Sequence, residues 1–89
     1  MAYVRDGGDM VIVASTGGAP SNPAWYWNLK ARPCVTVEVG TETVEVIAGE
    51  VADEEYARLW TMVTEAIPIM LEYQNRTTRR LPIIRLAPA

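Results

Sequence analysis

The sequence contains no histidine. That excludes a Ser–His–Asp triad and any metal site built on imidazole. It has a single cysteine, Cys34, so no internal disulfide can form, and neither a zinc cage nor an iron–sulfur cluster can be assembled from thiolates. No unbroken apolar run reaches the roughly 18 residues that a membrane-spanning helix needs. The opening residues, Met1 to Gly8, lack the basic-then-apolar layout of a signal peptide. Together these features predict a protein of the reducing cytosol. There is no Walker-type loop and no G-x-G-x-x-G, and a formal charge of −3 argues against nucleic-acid binding. An enzyme made of these residues would draw its chemistry from a bound cofactor, with no metal.

What is present suits one small domain, residues 1–89, with 49% apolar residues and hence a folded but thin core. The charge is unevenly spread. Glu38, Glu42, Glu45, Glu50, Asp53, Glu54 and Glu55 make the middle acidic, and Arg76, Arg79, Arg80 and Arg85 make the end basic. The acidic cluster reads as a solvated face; the arginines read as a solvated or inter-subunit surface, or as a patch for an anionic cofactor tail.

Along the chain, Tyr3 to Arg5 is a short strand, Asp6-Gly7-Gly8-Asp9 a tight turn, and Met10 to Ala14 a buried strand of continuous apolar residues. A small-residue loop, Ser15 to Ser21, follows. Asn22 is placed to cap a helix running from Pro23 to Ala31, which Pro33 stops. Cys34 to Val39 alternates strictly, with valines on one face and Cys34, Thr36 and Glu38 on the other; Cys34 reads as a structural strand residue rather than a nucleophile. Gly40 to Glu42 turns the chain into a second strand, Thr43 to Val51, in which Gly49 suggests a bulge. Asp53 is placed to cap a helix whose apolar stripe is Tyr56, Leu59, Trp60, Val63 and Ile67. Pro68 interrupts it, a shorter helix spans Ile69 to Asn75, and Leu81 to Leu86 is a last strand that Pro82 confines to an edge or to its first residues. The order β-β-α-β-β-α-α-β predicts an α+β fold: a mostly antiparallel sheet with helices packed on it, closing into a small, partly open barrel. The thin core, three tryptophans and unpaired strand edges predict a homodimer.

The segment with most chemical interest joins the buried strand to the first helix. Ser15 and Thr16 place hydroxyls at the strand's exit, Gly17-Gly18 exposes bare backbone, and the loop feeds a helix N-terminus. Trp25-Tyr26-Trp27 follow, and three adjacent aromatics on a short helix cannot all face one core. The residues alone fit either an ordinary turn with core aromatics or one wall of a site for a flat ligand.

This stretch resembles the deazaflavin-dependent nitroreductase family of actinobacteria, whose members adopt the split β-barrel of flavin reductases (FMN-binding split barrel-like). The resemblance runs over essentially the whole chain. It rests on Asp6-Gly7-Gly8, Ala14-Ser15-x-Gly17-Gly18, Asn22-Pro23-x-Trp25-Tyr26-x-Asn28-Leu29-x-Ala31-x-Pro33, Trp60, Pro68, Tyr73-Gln74 and Thr78-x-Arg80-x-Pro82. It implies an oxidoreductase that uses the reduced 8-hydroxy-5-deazaflavin coenzyme F-420 to transfer a hydride to a quinone, nitroaromatic or activated enone acceptor. It also implies a pocket lined by Val13, Ala14, Ser15, Thr16, Ala24, Trp25, Tyr26, Trp27 and Asn28, with Met70 opposite, and with Ser15 and Tyr73 as the catalytic candidates that could supply or relay a proton. Peripheral access to membrane quinones is compatible with it. An FMN-dependent reductase on the same fold, or a non-catalytic ligand-binding or truncated domain, are the alternatives.

Three departures from the family pattern are visible. Thr16 stands where some relatives have a lysine, and Ile67 and Met70 stand where nitro-reducing relatives carry tyrosines. The family's N-terminal segment, with its Lys/Gly/Arg phosphate clamp, is not in this sequence, so the chain reads as the C-terminal part of a longer split-barrel domain.

Overall fold

The structure, a computed structural model, describes residues 3–15, 18 and 21–89. The chain runs β1 (Val4–Asp6), β2 (Asp9–Val13), α1 (Ala24–Ala31), β3 (Cys34–Val39), β4 (Glu42–Glu50), α2 (Asp53–Ala66), α3 (Ile69–Asn75) and β5 (Ile83–Pro88). All five strands join one sheet in the order β1-β2-β5-β4-β3, and every pairing is antiparallel. Two hairpins build its flanks. Gly7 and Gly40 lead the two-residue turns with φ of +64° and +62°, a region open to glycine at little cost.

The alternation of side chains along each strand sorts the core into two layers. Met10, Ile12, Ala14, Val46, Ala48, Ile84 and Leu86 pack with Tyr26 of α1 on one face. Val11, Val13 and Ile83 pack with Leu59, Val63 and Met70 of α2 and α3 on the other. A helix layer on both sides explains why Met10 to Ala14 is apolar without a break: every residue of that run is buried.

Several expectations are corrected. β5 is not an edge strand; it occupies the centre of the sheet, and Pro82 falls immediately before its first residue, the other position expected for it. Gly49 marks no bulge, because the β4–β5 register is continuous from Val46↔Pro88 to Glu50↔Ile84. Neither proposed helix cap acts as one. Helix α1 has Pro23 at its cap position and α2 has Ala52, with no side-chain capping bond at either. Tertiary partners have claimed both side chains: Asn22 accepts from Arg79, and Asp53 pairs with Arg80 at 2.7 Å.

On the α2 side, Arg85 of the central strand meets three carboxylates. Its guanidinium lies 3.0 Å from Asp6, 3.0 Å from Asp9 and 3.4 Å from Glu55, while Arg58 of α2 reaches Asp6 at 3.1 Å. This network ties the β1–β2 hairpin to α2. Hydrogen bonds from Arg58 and then from Arg85 hold the Asp6 carboxyl below its ordinary value of 3.8. A carboxyl lowered in the folded state stabilises the fold above its unfolded value, and that contribution disappears as pH falls through the lowered one. Asp6→Asn is therefore expected to flatten the loss of stability below about pH 4, seen as a smaller acid-side drop in the urea midpoint. An unchanged acid limb would show that the network adds nothing to the fold.

Candidate functional site

β2 leaves the sheet after Val13, and the Ala14 N–H still reaches the Pro82 carbonyl at 3.0 Å. Beyond it, the Ser15 carbonyl accepts the Gly18 N–H at 2.9 Å. Gly18 has φ +84° and is buried against α3. A Cβ there would sit 2.5 Å from the Tyr73 carbonyl oxygen and 2.8 Å from Arg76 Cβ. Only glycine lets the loop seat this closely.

The other support comes from the segment after α3. Gln74 donates to the Arg79 carbonyl at 2.7 Å and accepts the Leu81 N–H at 3.0 Å, which fixes the 79–81 backbone. The Arg79 guanidinium donates to the Ala14 carbonyl at 3.4 Å, to the Ser15 carbonyl at 3.2 Å and to Asn22 Oδ1 at 2.5 Å. Arg79 thus faces the loop's carbonyls, a role that neither of the alternatives for the basic cluster anticipated, and Gln74 carried no sequence signal beyond the motif.

Helix α1 divides its three aromatics as their crowding requires. Tyr26 is 4% exposed, Trp25 is half-buried and Trp27 is 57% exposed. The Tyr26 hydroxyl donates to the Glu50 carboxylate on β4, and Lys30 lies 3.5 Å from the same carboxylate. Burial, followed by the bond to Glu50, pushes the Tyr26 phenol above its ordinary value, so it stays a neutral donor. These contacts pin α1 to the sheet with Trp25, Asn28, Leu29 and Arg32 facing a cavity of about 800 Å³.

The cavity's floor is Met10, Ile12 and Leu86, and its far wall is the valine face of β3. Tyr3, next to β1, and Val35 to Val39 on β3 line the same space. The volume matches a drug-sized ligand, and an apolar slot with a few polar groups at its border is the usual form of a small-molecule site. Here the polar residues at the border are Asn28 and Arg32.

The structure distributes the residues expected to form one wall. Trp25 and Asn28 meet on the cavity. Ala14 and Tyr26 are buried behind it, in the layer that α1 covers. Val13 and Met70 are buried on the opposite face of the sheet, with half-buried Tyr73 packed beside them. Ala24 and Trp27 are exposed on α1, and Ser15 is half-buried at the loop's start. Thr16 lies outside the described residues. The cavity-lining residues with no sequence signal of their own are Met10, Ile12 and Leu86, which read simply as core.

Comparison with known proteins adds three findings. The family model for F420H(2)-dependent quinone reductase matches residues 1–88. An F420H(2)-dependent quinone reductase of Mycobacterium tuberculosis is 45% identical over 89 residues, covering 97% of this chain and 60% of that relative, so the chain spans well under the relative's full length. Among solved structures, an F420-H2 dependent reductase superposes with a TM-score of 0.87 at 37% identity, covering 97% of this chain and 76% of its own. Another, described as a domain-swapped dimer, superposes at 0.88 with the same identity, covering 97% of this chain and 65% of its own.

Proposed function

The chain belongs to the F420H(2)-dependent quinone reductase family, and from that membership we propose that it forms the ligand-binding part of an oxidoreductase acting on quinones with reduced coenzyme F420. The observation that carries the reading is the apolar cavity of about 800 Å³ flanked by Trp25 and Asn28. Its shape and chemistry suit a flat conjugated ring. An indole and aliphatic side chains offer stacking surface, an amide offers a donor and an acceptor to a polar ring edge, and Arg32 places a cation at the border for an anionic substituent.

The coenzyme, when bound, supplies the hydride; the protein supplies binding, orientation and exclusion of water. Trp25 and Leu29 would hold the ring face, and Asn28 would bind a polar edge. Ser15, at the exit of β2, would hydrogen-bond the ring or the acceptor. Tyr73 packs beside Met70 on the other face of the sheet, so the proton would come from solvent or be relayed through Ser15. No described helix is long and apolar enough to cross a membrane; we place the protein in the cytosol, meeting membrane quinones from the surface. We also propose a homodimer, which would cover exposed apolar side chains such as Trp27 and Ile47.

Equilibrium binding tests the reading. Trp25→Ala is expected to weaken binding of coenzyme F420 by about 10- to 100-fold, the loss of one stacked and buried aromatic. Tight binding of FMN with none of F420 would sink the proposal.

A further inference from the structure

The antiparallel register pairs Val13 with Ile83, so Ala14 and Pro82 stand opposite one another at the next position. The Ala14 N–H does bond the Pro82 carbonyl, at 3.0 Å. In an antiparallel ladder such a pair exchanges two bonds, and the return bond would run from the N–H of residue 82 to the Ala14 carbonyl. Proline has no N–H. Ala14 is fully buried, so its carbonyl would be left without its ladder donor in a place where water cannot replace it.

Arg79 fills the gap. Both of its terminal nitrogens lie 3.4 Å from the Ala14 carbonyl oxygen. The same guanidinium also reaches Ser15, at the start of the loop, and Asn22, at its end. Its own backbone is held by Gln74 of α3. One planar cation therefore replaces a missing strand donor and ties both ends of the 15–22 loop to α3.

We infer that Arg79 is a positioning residue: it sets the loop that carries Ser15 between β2 and α1, and so presents the Ser15 hydroxyl and the start of α1 to the ligand. What the loop is positioned for rests on the functional reading above; the clamp itself rests on the geometry alone. A lysine cannot do the same work, because one ammonium does not span two carbonyls and an amide in a plane.

Three substitutions separate the roles. Asn22→Ala removes the far end of the clamp and leaves the strand ladder intact. Arg79→Gln removes both ends. Pro82→Ala returns an N–H opposite Ala14. In this chain, hydrogen exchange at the Gly18 amide is expected to accelerate about tenfold or more in Asn22→Ala and in Arg79→Gln. The Tm should fall in Arg79→Gln and change little in Asn22→Ala. The double variant Arg79→Gln/Pro82→Ala should regain Tm without regaining loop protection. Affinity for coenzyme F420 should follow loop protection and not Tm, falling about tenfold in Asn22→Ala, in Arg79→Gln and in the double variant.

Unchanged exchange at Gly18 in Asn22→Ala and Arg79→Gln overturns the inference. So does recovery of loop protection in the double variant, since Arg79 would then only satisfy a carbonyl. If the unsubstituted chain binds no F420, the functional reading falls, and the exchange measurements still decide the clamp in either direction.

Discussion

Replacing Leu59 by alanine is expected to lower the stability of the fold by about 2–5 kcal/mol. Leu59 is fully buried on α2 and packs in the layer formed by Val11, Val13, Val63, Met70, Leu81 and Ile83. That layer joins the central strands β2 and β5 to both α2 and α3, so a hole at Leu59 loosens four elements together. The cost has two parts: the apolar surface no longer removed from water, and the unfilled space left because the strands cannot collapse into it. A domain of this size has a total stability of about 5–10 kcal/mol. The loss is therefore a large share of the whole, and a fall in Tm on the order of 10–30 °C is expected. Leu71→Ala on α3 is the matched control, because that leucine is 51% exposed; its effect should stay within about 0.5 kcal/mol. Urea unfolding of both variants checks this. Equal effects would mean that the layer under α2 is not the principal core.

The order and type of every element could be read from local signals. The alternation from Cys34 to Val39 gave a strand with one valine face, and that face now lines the cavity. The glycine turns gave both hairpins, and the stripe through Leu59 and Val63 gave the buried face of α2. What could not be read was long-range. Nothing local tells Ile83–Pro88 to lie between β2 and β4, because that placement is decided by which apolar faces meet, and Pro82 suited an edge strand as well as the start of a central one. The caps failed for a related reason. Asn22 and Asp53 are chemically suited to capping, but an arginine distant in sequence competes for each of them and wins.

The same distinction governs the site. Val13 and Ala14 are adjacent on a strand, so their side chains must point to opposite faces, and they do: one lies under α2 and α3, the other under α1. A single wall containing both was excluded by the period of the strand before any fold was known. Trp25 and Asn28, three residues apart on a helix, share a face for the corresponding reason, and both border the cavity. Arg79 and Gln74 escaped notice because their function is relational. Each becomes informative only when Pro82 is seen opposite Ala14 and the loop is seen against α3.

The loop's seat on α3 leads to the second large effect, at Gly18. Gly18→Ala is expected to cost about 2–4 kcal/mol, in two separable parts. A left-handed backbone, here φ +84°, costs a residue with a Cβ about 1–2 kcal/mol. The remainder is collision, since the new Cβ would stand 2.5 Å from the Tyr73 carbonyl oxygen and 2.8 Å from Arg76 Cβ. Neither neighbour is the free end of a flexible side chain, so the loop or the end of α3 must move. Gly40→Ala isolates the first part: its φ is +62° and a Cβ there meets nothing within 4 Å. The difference between the two variants in urea unfolding is thus the energy of seating the loop on α3. If the loop lifts to escape the contact, the loss of stability will be smaller, but Ser15 moves with it and coenzyme affinity should fall by at least about tenfold. Stability and affinity together must therefore register the substitution. A Gly18→Ala chain that matches Gly40→Ala in unfolding and the unsubstituted chain in binding would show that the loop does not rest on α3, and that Ser15 and Tyr73 are not held in register by it.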